Sequence, residues 1–105
     1  MKYANDSNFE ETVSKERLTL IDFFATWCMP CKMQAEVLEK LEKSRNLTFD
    51  IVKVNVDDSP NLASKFEISS IPTLVVMKNG KVLKKSVGLN EENELLDMIS
   101  ELDNS

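Results

Sequence analysis

The stretch that decides the fold is Phe23-Phe24-Ala25-Thr26-Trp27-Cys28-Met29-Pro30-Cys31-Lys32. It contains the only two cysteines of the chain, three residues apart, where an apolar run gives way to a helical pattern. Residues three apart share one face of a helix. Cys28 should therefore stand at a helix N-terminus, with Cys31 one turn inside. Pro30 suits this first turn, because the N–H that proline lacks would have no helical partner there.

The predicted place of Cys28 favours redox chemistry. Backbone N–H groups at a helix N-terminus have no intrahelical partner, and the helix dipole favours negative charge there. A thiolate is such a charge, so Cys28 is the predicted nucleophile. Cys31 would then resolve the mixed disulfide that Cys28 forms with a substrate.

Two other functions of the cysteine pair are less compatible with the sequence. A structural bridge between residues three apart closes almost no loop and would stabilise the fold little. A zinc site usually takes four ligands, often Cys and His, and this chain has no third cysteine and no histidine. We therefore predict that the pair cycles between a reduced dithiol and an oxidised disulfide, and we predict no metal site.

Composition narrows the class of protein. A chain of 105 residues predicts a single domain, residues 1–105, that folds without a structural disulfide bond. The net charge of −5 argues against nucleic acid and against anionic membrane surfaces as partners. No apolar run approaches the ~18 residues of a membrane span, and residues 1–10 lack the apolar core of a signal peptide. We expect a cytoplasmic protein, in which a cysteine pair is more often catalytic or metal-binding than structural.

Outward from the cysteines, strands alternate with helices. Residues 17–24 are apolar on both faces except at Asp22, which is typical of a central strand covered by helices on both sides. From Cys28 to Ser44 runs the longest predicted helix. Its inward positions are predicted to be Met33, Val37, Leu38 and Leu41. A second strand is predicted over residues 47–56.

Turn and capping signals place the other elements. Ser7 and Glu10 form a capping-box pattern before a short helix, and residues 1–3 are compatible with a brief edge strand. Ser59-Pro60 is typical of an N-cap followed by the first helical residue, and that helix should reach residue 66. Strands are predicted at 71–77 and 81–87, joined by a hairpin at Asn79-Gly80. Gly88 ends the last strand, and Asn90 should cap a closing helix over 91–102. Helices between strands predict parallel pairing, with an antiparallel edge at the hairpin.

Two charged residues interrupt apolar strands. Asp22 is predicted to be buried with a raised pKa, because desolvation disfavours the charged form of a carboxyl group. The alternative is a solvated position at a strand edge. Lys53 lies in the run Ile51-Val52-Lys53-Val54. A lysine in such a run is either buried with a partner or extends its ammonium group to water, and the second is the alternative for Lys53.

Together these residues resemble the thioredoxin family, in order and spacing over nearly the whole chain. The features that carry the resemblance are Asp22-Phe23, Trp27-Cys28-Met29-Pro30-Cys31-Lys32, Lys53, Ile71-Pro72-Thr73, Lys78-Asn79-Gly80 and Val87-Gly88. The resemblance implies an α/β thioredoxin fold, with a central five-stranded mixed sheet flanked by four helices. It also implies a monomeric protein-disulfide reductase that needs no bound cofactor, reduces disulfide-containing proteins and is itself reduced by a thioredoxin reductase.

The resemblance further implies roles for single residues. Asp22 would lie behind Cys31 and assist its proton transfer, and Lys53 would approach Asp22 from the neighbouring strand. The bond before Pro72 would be cis, which leaves the backbone of Ile71 free to pair with an extended substrate segment. The implied substrate-binding residues are Trp27, Met29, Pro30, Ile71, Pro72 and Gly88. For Trp27 the alternative is plain core packing.

The chain departs from the common family pattern at several positions. Met29 replaces the usual glycine between the cysteines, and Phe24 stands where a second tryptophan is common. Glu36 replaces a proline that kinks the long helix in many members. Glu67 and Ser70 replace two glycines. Each of these differences leaves the catalytic groups in place.

Two other functions remain open on the same fold. One is an oxidant or isomerase, against which the missing export signal argues. The other is a non-enzymatic module that uses the fold to bind a protein partner. Reduction of a protein disulfide separates a reductase from such a module.

Overall fold

The computed structural model describes residues 1–13 and 15–103. In these residues the elements follow the predicted order of strands and helices. They are β1 (Lys2–Ala4), α1 (Phe9–Thr12), β2 (Thr19–Phe24), α2 (Met29–Ser44), β3 (Asp50–Asn55), α3 (Pro60–Lys65), β4 (Thr73–Lys78), β5 (Lys81–Val87) and α4 (Glu92–Asp103). None of the helices in this part of the chain combines the length and apolar character needed to span a bilayer.

The five strands form one mixed sheet in the order β1-β3-β2-β4-β5. Strands β1 and β2 run parallel to β3, whereas β4 runs antiparallel to both β2 and β5. The five-stranded mixed sheet with four helices is thus confirmed, but parallel pairing is wrong for β4. The six residues of β3 span ~20 Å, whereas the six-residue α3 spans only ~9 Å. The chain therefore does not return to the far end of the sheet before β4 begins.

The hairpin between β4 and β5 is formed as predicted. Asn79 and Gly80 both have positive φ, 53° and 77°, and Lys78 pairs with Lys81 across the two-residue turn. Two positive φ values are what a type I′ turn requires, and its twist matches the twist of the flanking strands.

Each face of the sheet carries its own hydrophobic core, because side chains alternate between the faces of a strand. Helices α1 and α3 pack on one face, and α2 and α4 on the other. The first core contains Ile21, Phe23, Val52, Val54, Val75, Phe9, Leu62 and Phe66. The second contains Leu20, Ile51, Leu74, Val76, Leu38, Leu41, Leu95 and Ile99. By this alternation Asp22 faces the side of α2.

The ends of the two short helices are held by side chains other than those predicted. Ser7 does not cap α1; instead Asn5 Oδ1 accepts from the N–H groups of Ser7 at 3.0 Å and Asn8 at 3.1 Å. Ser59 occupies the N-cap position of α3 as predicted, yet its side chain makes no capping hydrogen bond. The carboxylate of Asp6 accepts from N–H groups in the first turn of α3 instead. That capping group comes from a distant part of the chain, which a local pattern does not reveal.

Two further expectations about helices are wrong. The side chain of Asn90 does not cap α4, because the helix begins at Glu92, two residues later. Its Oδ1 accepts from Ser86 Oγ at 2.9 Å. Met33 does not face the core, since 49% of its surface is exposed. The fully buried face of α2 is instead formed by Cys31, Gln34, Leu38 and Leu41. The buried face of α2 therefore includes the polar residue Gln34 in place of its neighbour Met33. Hydropathy alone assigns Gln34 to the solvent side.

Candidate active site

The two cysteines lie where β2 passes into α2. Cys28 is the N-cap of α2 and is joined to Cys31 by a disulfide. The backbone N–H of Cys31 donates to Cys28 Sγ at 3.2 Å. Both residues are buried, at 5% exposed for Cys28 and 2% for Cys31. The sulfur of Cys28 therefore receives a donor from the helix end, which favours negative charge on that sulfur after reduction.

Exposed apolar side chains surround this helix start. Trp27 is 69% exposed and Met29 is 65% exposed, and Pro30 is exposed in the first turn of α2. The indole Nε1–H of Trp27 donates to Asp57 Oδ2 at 2.8 Å, which fixes the ring against the loop after β3. Core packing is thus excluded for Trp27. Asp57 is not predictable from the local sequence pattern, because thirty positions separate it from Trp27.

A second wall of the site is formed where β4 begins and β5 ends. The Ile71–Pro72 peptide bond is cis, as the resemblance implied. The carbonyl oxygen of Ile71 lies 3.9 Å from Cys28 Sγ. Gly88 donates its N–H to the carbonyl oxygen of Pro72 at 2.8 Å and has a φ of +95°, which L side chains rarely adopt. Pro72 itself is buried, whereas Ile71 and Gly88 are partly exposed.

Asp22 is fully buried on the α2 side of the sheet, which excludes the solvated strand edge. It pairs in register with Lys53 of β3, and Lys53 Nζ lies 3.8 Å from Asp22 Oδ2. Both carboxylate oxygens lack a hydrogen bond from the described residues. Burial raises the pKa of Asp22 to about 6, although the nearby Lys53 ammonium opposes the increase.

Lys53 is enclosed rather than extended to water, since only 5% of the residue is exposed. Its ammonium group lies 4.5 Å from the centre of the Phe24 ring and 5.9 Å from that of Tyr3. Cation–π attraction therefore adds to its ion pair with Asp22. Lys53 and Cys31 line the same pocket of about 280 Å³, together with Phe24. The structure thus places Lys53, with Asp22 beside it, at a pocket that Cys31 also lines.

The described residues form no other candidate centre for this chemistry. No group of three or more His, Cys, Asp or Glu among them is arranged to hold a metal ion. Two pockets of about 330 Å³ lie away from the cysteines, one between residues 45–49 and α4 and one between α1 and the β4–β5 turn. The disulfide and its apolar surroundings are therefore the candidate site.

Comparison with known proteins agrees with this geometry. The thioredoxin family model matches residues 1–101. A thioredoxin of Staphylococcus haemolyticus is 45% identical over 96 residues, which cover 91% of each chain. A thioredoxin of Listeria monocytogenes is 41% identical over 100 residues, covering 95% of this chain and 96% of that one. Among solved structures, a mutant thioredoxin from Halobacterium salinarum superposes with a TM-score of 0.85 at 32% identity, over 95% of this chain and 88% of that one.

Proposed function

This chain belongs to the thioredoxin family, and from that premise we propose that Cys28 is the nucleophile and Cys31 the resolving thiol. The family membership makes the protein a thiol-disulfide oxidoreductase that reduces protein disulfides. The observation that carries the assignment of roles is the 3.2 Å contact from the Cys31 N–H to Cys28 Sγ at the N-terminus of α2. A helix N-terminus stabilises a thiolate, and the thiolate is the attacking form.

The reaction proceeds in two exchanges. In the reduced protein the Cys28 thiolate attacks one sulfur of the substrate disulfide, and the other substrate sulfur leaves as a thiolate. Cys31 then loses its proton and attacks Cys28 Sγ in the mixed disulfide, which releases the second substrate thiolate. Two electrons have passed to the substrate, and Cys28 and Cys31 are joined.

Asp22 accepts the proton of Cys31 in the second exchange. A carboxyl group whose pKa is about 6 takes up and releases a proton near neutral pH. Lys53 at 3.8 Å keeps the ionised form of Asp22 accessible in a buried position. The pocket that Lys53 and Cys31 both line supports proton transfer between Cys31 and the Asp22–Lys53 pair.

The substrate binds as an extended segment across the two walls of the site. Its backbone pairs with Ile71, which the buried Pro72 holds at the start of β4, and its side chains contact Trp27, Met29 and Pro30 on one side and Gly88 on the other. The exposed indole and thioether beside Cys28 support this surface.

A thioredoxin reductase returns two electrons to the disulfide. The protein acts in the cytoplasm as a monomer, and residues 1–105 form one domain.

Insulin reduction in the presence of dithiothreitol tests the activity. The wild-type protein should precipitate the insulin B chain faster than dithiothreitol alone, because Cys28 attacks the insulin disulfide and dithiothreitol regenerates the dithiol. A protein that only binds partners would leave the rate at that of dithiothreitol.

Trapping of mixed disulfides tests the roles of the two cysteines. Cys31→Ser should accumulate covalent complexes with substrate proteins, since the nucleophile remains and the resolving thiol is gone. Cys28→Ser should accumulate almost none. The complexes are counted on non-reducing gels, and equal trapping by the two variants would contradict the assignment.

A further inference from the structure

Gln34 is a polar side chain in the buried face of α2. It lies one turn after Cys31, and its exposed surface is 0%. A buried amide is costly unless its donor and acceptor both have partners. The partners of Gln34 therefore indicate what the residue does.

Both functions of the Gln34 amide bind the backbone of one residue. Gln34 Nε2–H donates to the carbonyl oxygen of Asn90 at 3.1 Å, and the N–H of Asn90 donates to Gln34 Oε1 at 2.8 Å. This pair of bonds, the Gln34–Asn90 clip, joins the helix of Cys31 to a segment 56 positions away. Because the clip uses the Asn90 backbone, it depends on the side chain of Gln34 and not on that of Asn90.

The clip holds the segment 88–90, which borders the candidate site. At the near end of this segment, the Gly88 N–H donates to Pro72 O at 2.8 Å, beside the cis bond. At the far end Gln34 holds Asn90. Between them Leu89 lines a groove of about 250 Å³ with side chains of α2. The segment is therefore fixed at both ends, on the side of the site opposite Trp27.

We propose that Gln34 is a positioning residue for protein substrates, which holds segment 88–90 against α2 at the edge of the substrate-binding surface. This proposal rests on the proposed function, in which Gly88 contacts the substrate. An apolar residue at position 34 would leave the N–H and C=O of Asn90 without their partners. The segment would then move toward water to satisfy both groups, and the Gly88 wall would move with it.

Gln34→Met tests the proposal, because methionine keeps the length and the helix propensity of the side chain but removes the amide. Because segment 88–90 is displaced from the substrate-binding surface, KM for insulin should rise about tenfold, with kcat within about twofold of wild type. The rate with a small aromatic disulfide should stay within about twofold, since such a substrate reaches Cys28 Sγ without lying along segment 88–90.

Leu38→Val is the matched control. It destabilises the same helix by shortening another fully buried side chain, one that makes no hydrogen bond to segment 88–90. Its KM for insulin should equal that of wild type at a temperature where both variants are folded. A similar increase in KM for both variants would show that Gln34 contributes stability alone, and would overturn the proposal.

A measurement on the wild-type protein covers the case in which Gln34→Met does not fold. The Asn90 amide should exchange its hydrogen about as slowly as helical amides of α2, since it is bonded to a fully buried side chain. Exchange of the Asn90 amide at the rate of an exposed loop would show that the Gln34–Asn90 clip does not form, and would overturn the proposal.

If wild type reduces neither insulin nor the small disulfide, the proposed function itself fails. If wild type is active and the KM of Gln34→Met is unchanged, only the role of Gln34 fails.

Discussion

Met29 lies between the two cysteines with 65% of its surface exposed, beside the similarly exposed Trp27. It follows the N-cap of α2 directly, so its backbone belongs to the turn in which the Cys31 N–H donates to Cys28 Sγ. Its thioether is flexible and apolar, and such side chains adapt to varied protein surfaces. At this position one residue can therefore affect both the thiolate and the docking of partners.

We expect Met29→Gly to change docking more than redox potential. Glycine makes the first turn more flexible, and the lost side chain admits water to the sulfur, two effects of opposite direction on the thiolate. Neither residue carries a formal charge, so the potential should shift by less than about 30 mV, or ~1.4 kcal/mol for two electrons. The KM for a thioredoxin reductase should rise, because an exposed contact is removed.

Equilibration with glutathione measures the potential of Met29→Gly, and steady-state kinetics with the reductase measure its KM. A shift well beyond that bound with an unchanged KM would show that Met29 acts on the thiolate rather than on the docking surface.

At the scale of the elements, helix α3 depends on a residue from a distant part of the chain. Asp6 Oδ2 accepts from the N–H of Asn61 at 3.1 Å, and Asp6 Oδ1 accepts from that of Leu62 at 2.9 Å. A six-residue helix has a large share of its N–H groups at the unpaired N-terminus, so these two bonds matter. A negative charge there is also favoured by the helix dipole.

Asp6→Ala should lower the free energy of unfolding by about 1 kcal/mol, the usual cost of a lost N-cap side chain. In a domain of this size that corresponds to a fall in Tm of roughly 4–8 °C. Ser59→Ala is the matched control, since Ser59 holds the N-cap position but its buried Oγ has no hydrogen-bond partner among the described residues. It should be neutral or slightly stabilising. Thermal unfolding measures both variants, and an equal loss for both would mean that Asp6 is not the capping group.

At the scale of the whole molecule, Asp22 links stability to pH. Its pKa is about 6 in the folded protein against 3.8 for the free side chain, because burial outweighs the attraction of Lys53. The folded state therefore binds more protons between these two values than the unfolded state does. Stability is unaffected by this group below pH 3.8, falls as pH rises from about 4 to about 6, and is constant above that range.

Asp22→Asn should remove this dependence, because asparagine approximates the protonated carboxyl group at every pH. The variant should be more stable than wild type at pH 7, by up to about 3 kcal/mol, and the two should converge below pH 4. It should also reduce disulfides more slowly, since the variant lacks the carboxylate that we propose as the proton acceptor of Cys31. Urea unfolding from pH 3.5 to 7.5 measures the first effect, and insulin reduction the second.

Asp58→Asn makes the same change of residue type at an exposed carboxyl group and is the control for that series. If Asp22→Asn is less stable than wild type at pH 7, then the ionised carboxylate stabilises the fold and the argument from burial is wrong.

The sequence by itself determined the order of the elements, the place of the cysteine pair and the burial of Asp22. These properties are local. Periods of 2 and 3.6 residues indicate strands and helices, and Asn79-Gly80 supplies the two positive φ values of a tight turn. Asp22 was recognisable because a single carboxylate interrupts an apolar strand.

Only the tertiary structure decided which distant groups meet. Asp6 and Leu62 are 56 positions apart, as are Gln34 and Asn90, and Trp27 and Asp57 are 30 apart. The direction of β4 likewise depends on how far α3 carries the chain. A polar side chain can be solvated or can form hydrogen bonds with a distant segment. The local sequence pattern is the same in both cases. The partner exists only once the sheet has brought both segments together, so neither segment alone indicates it.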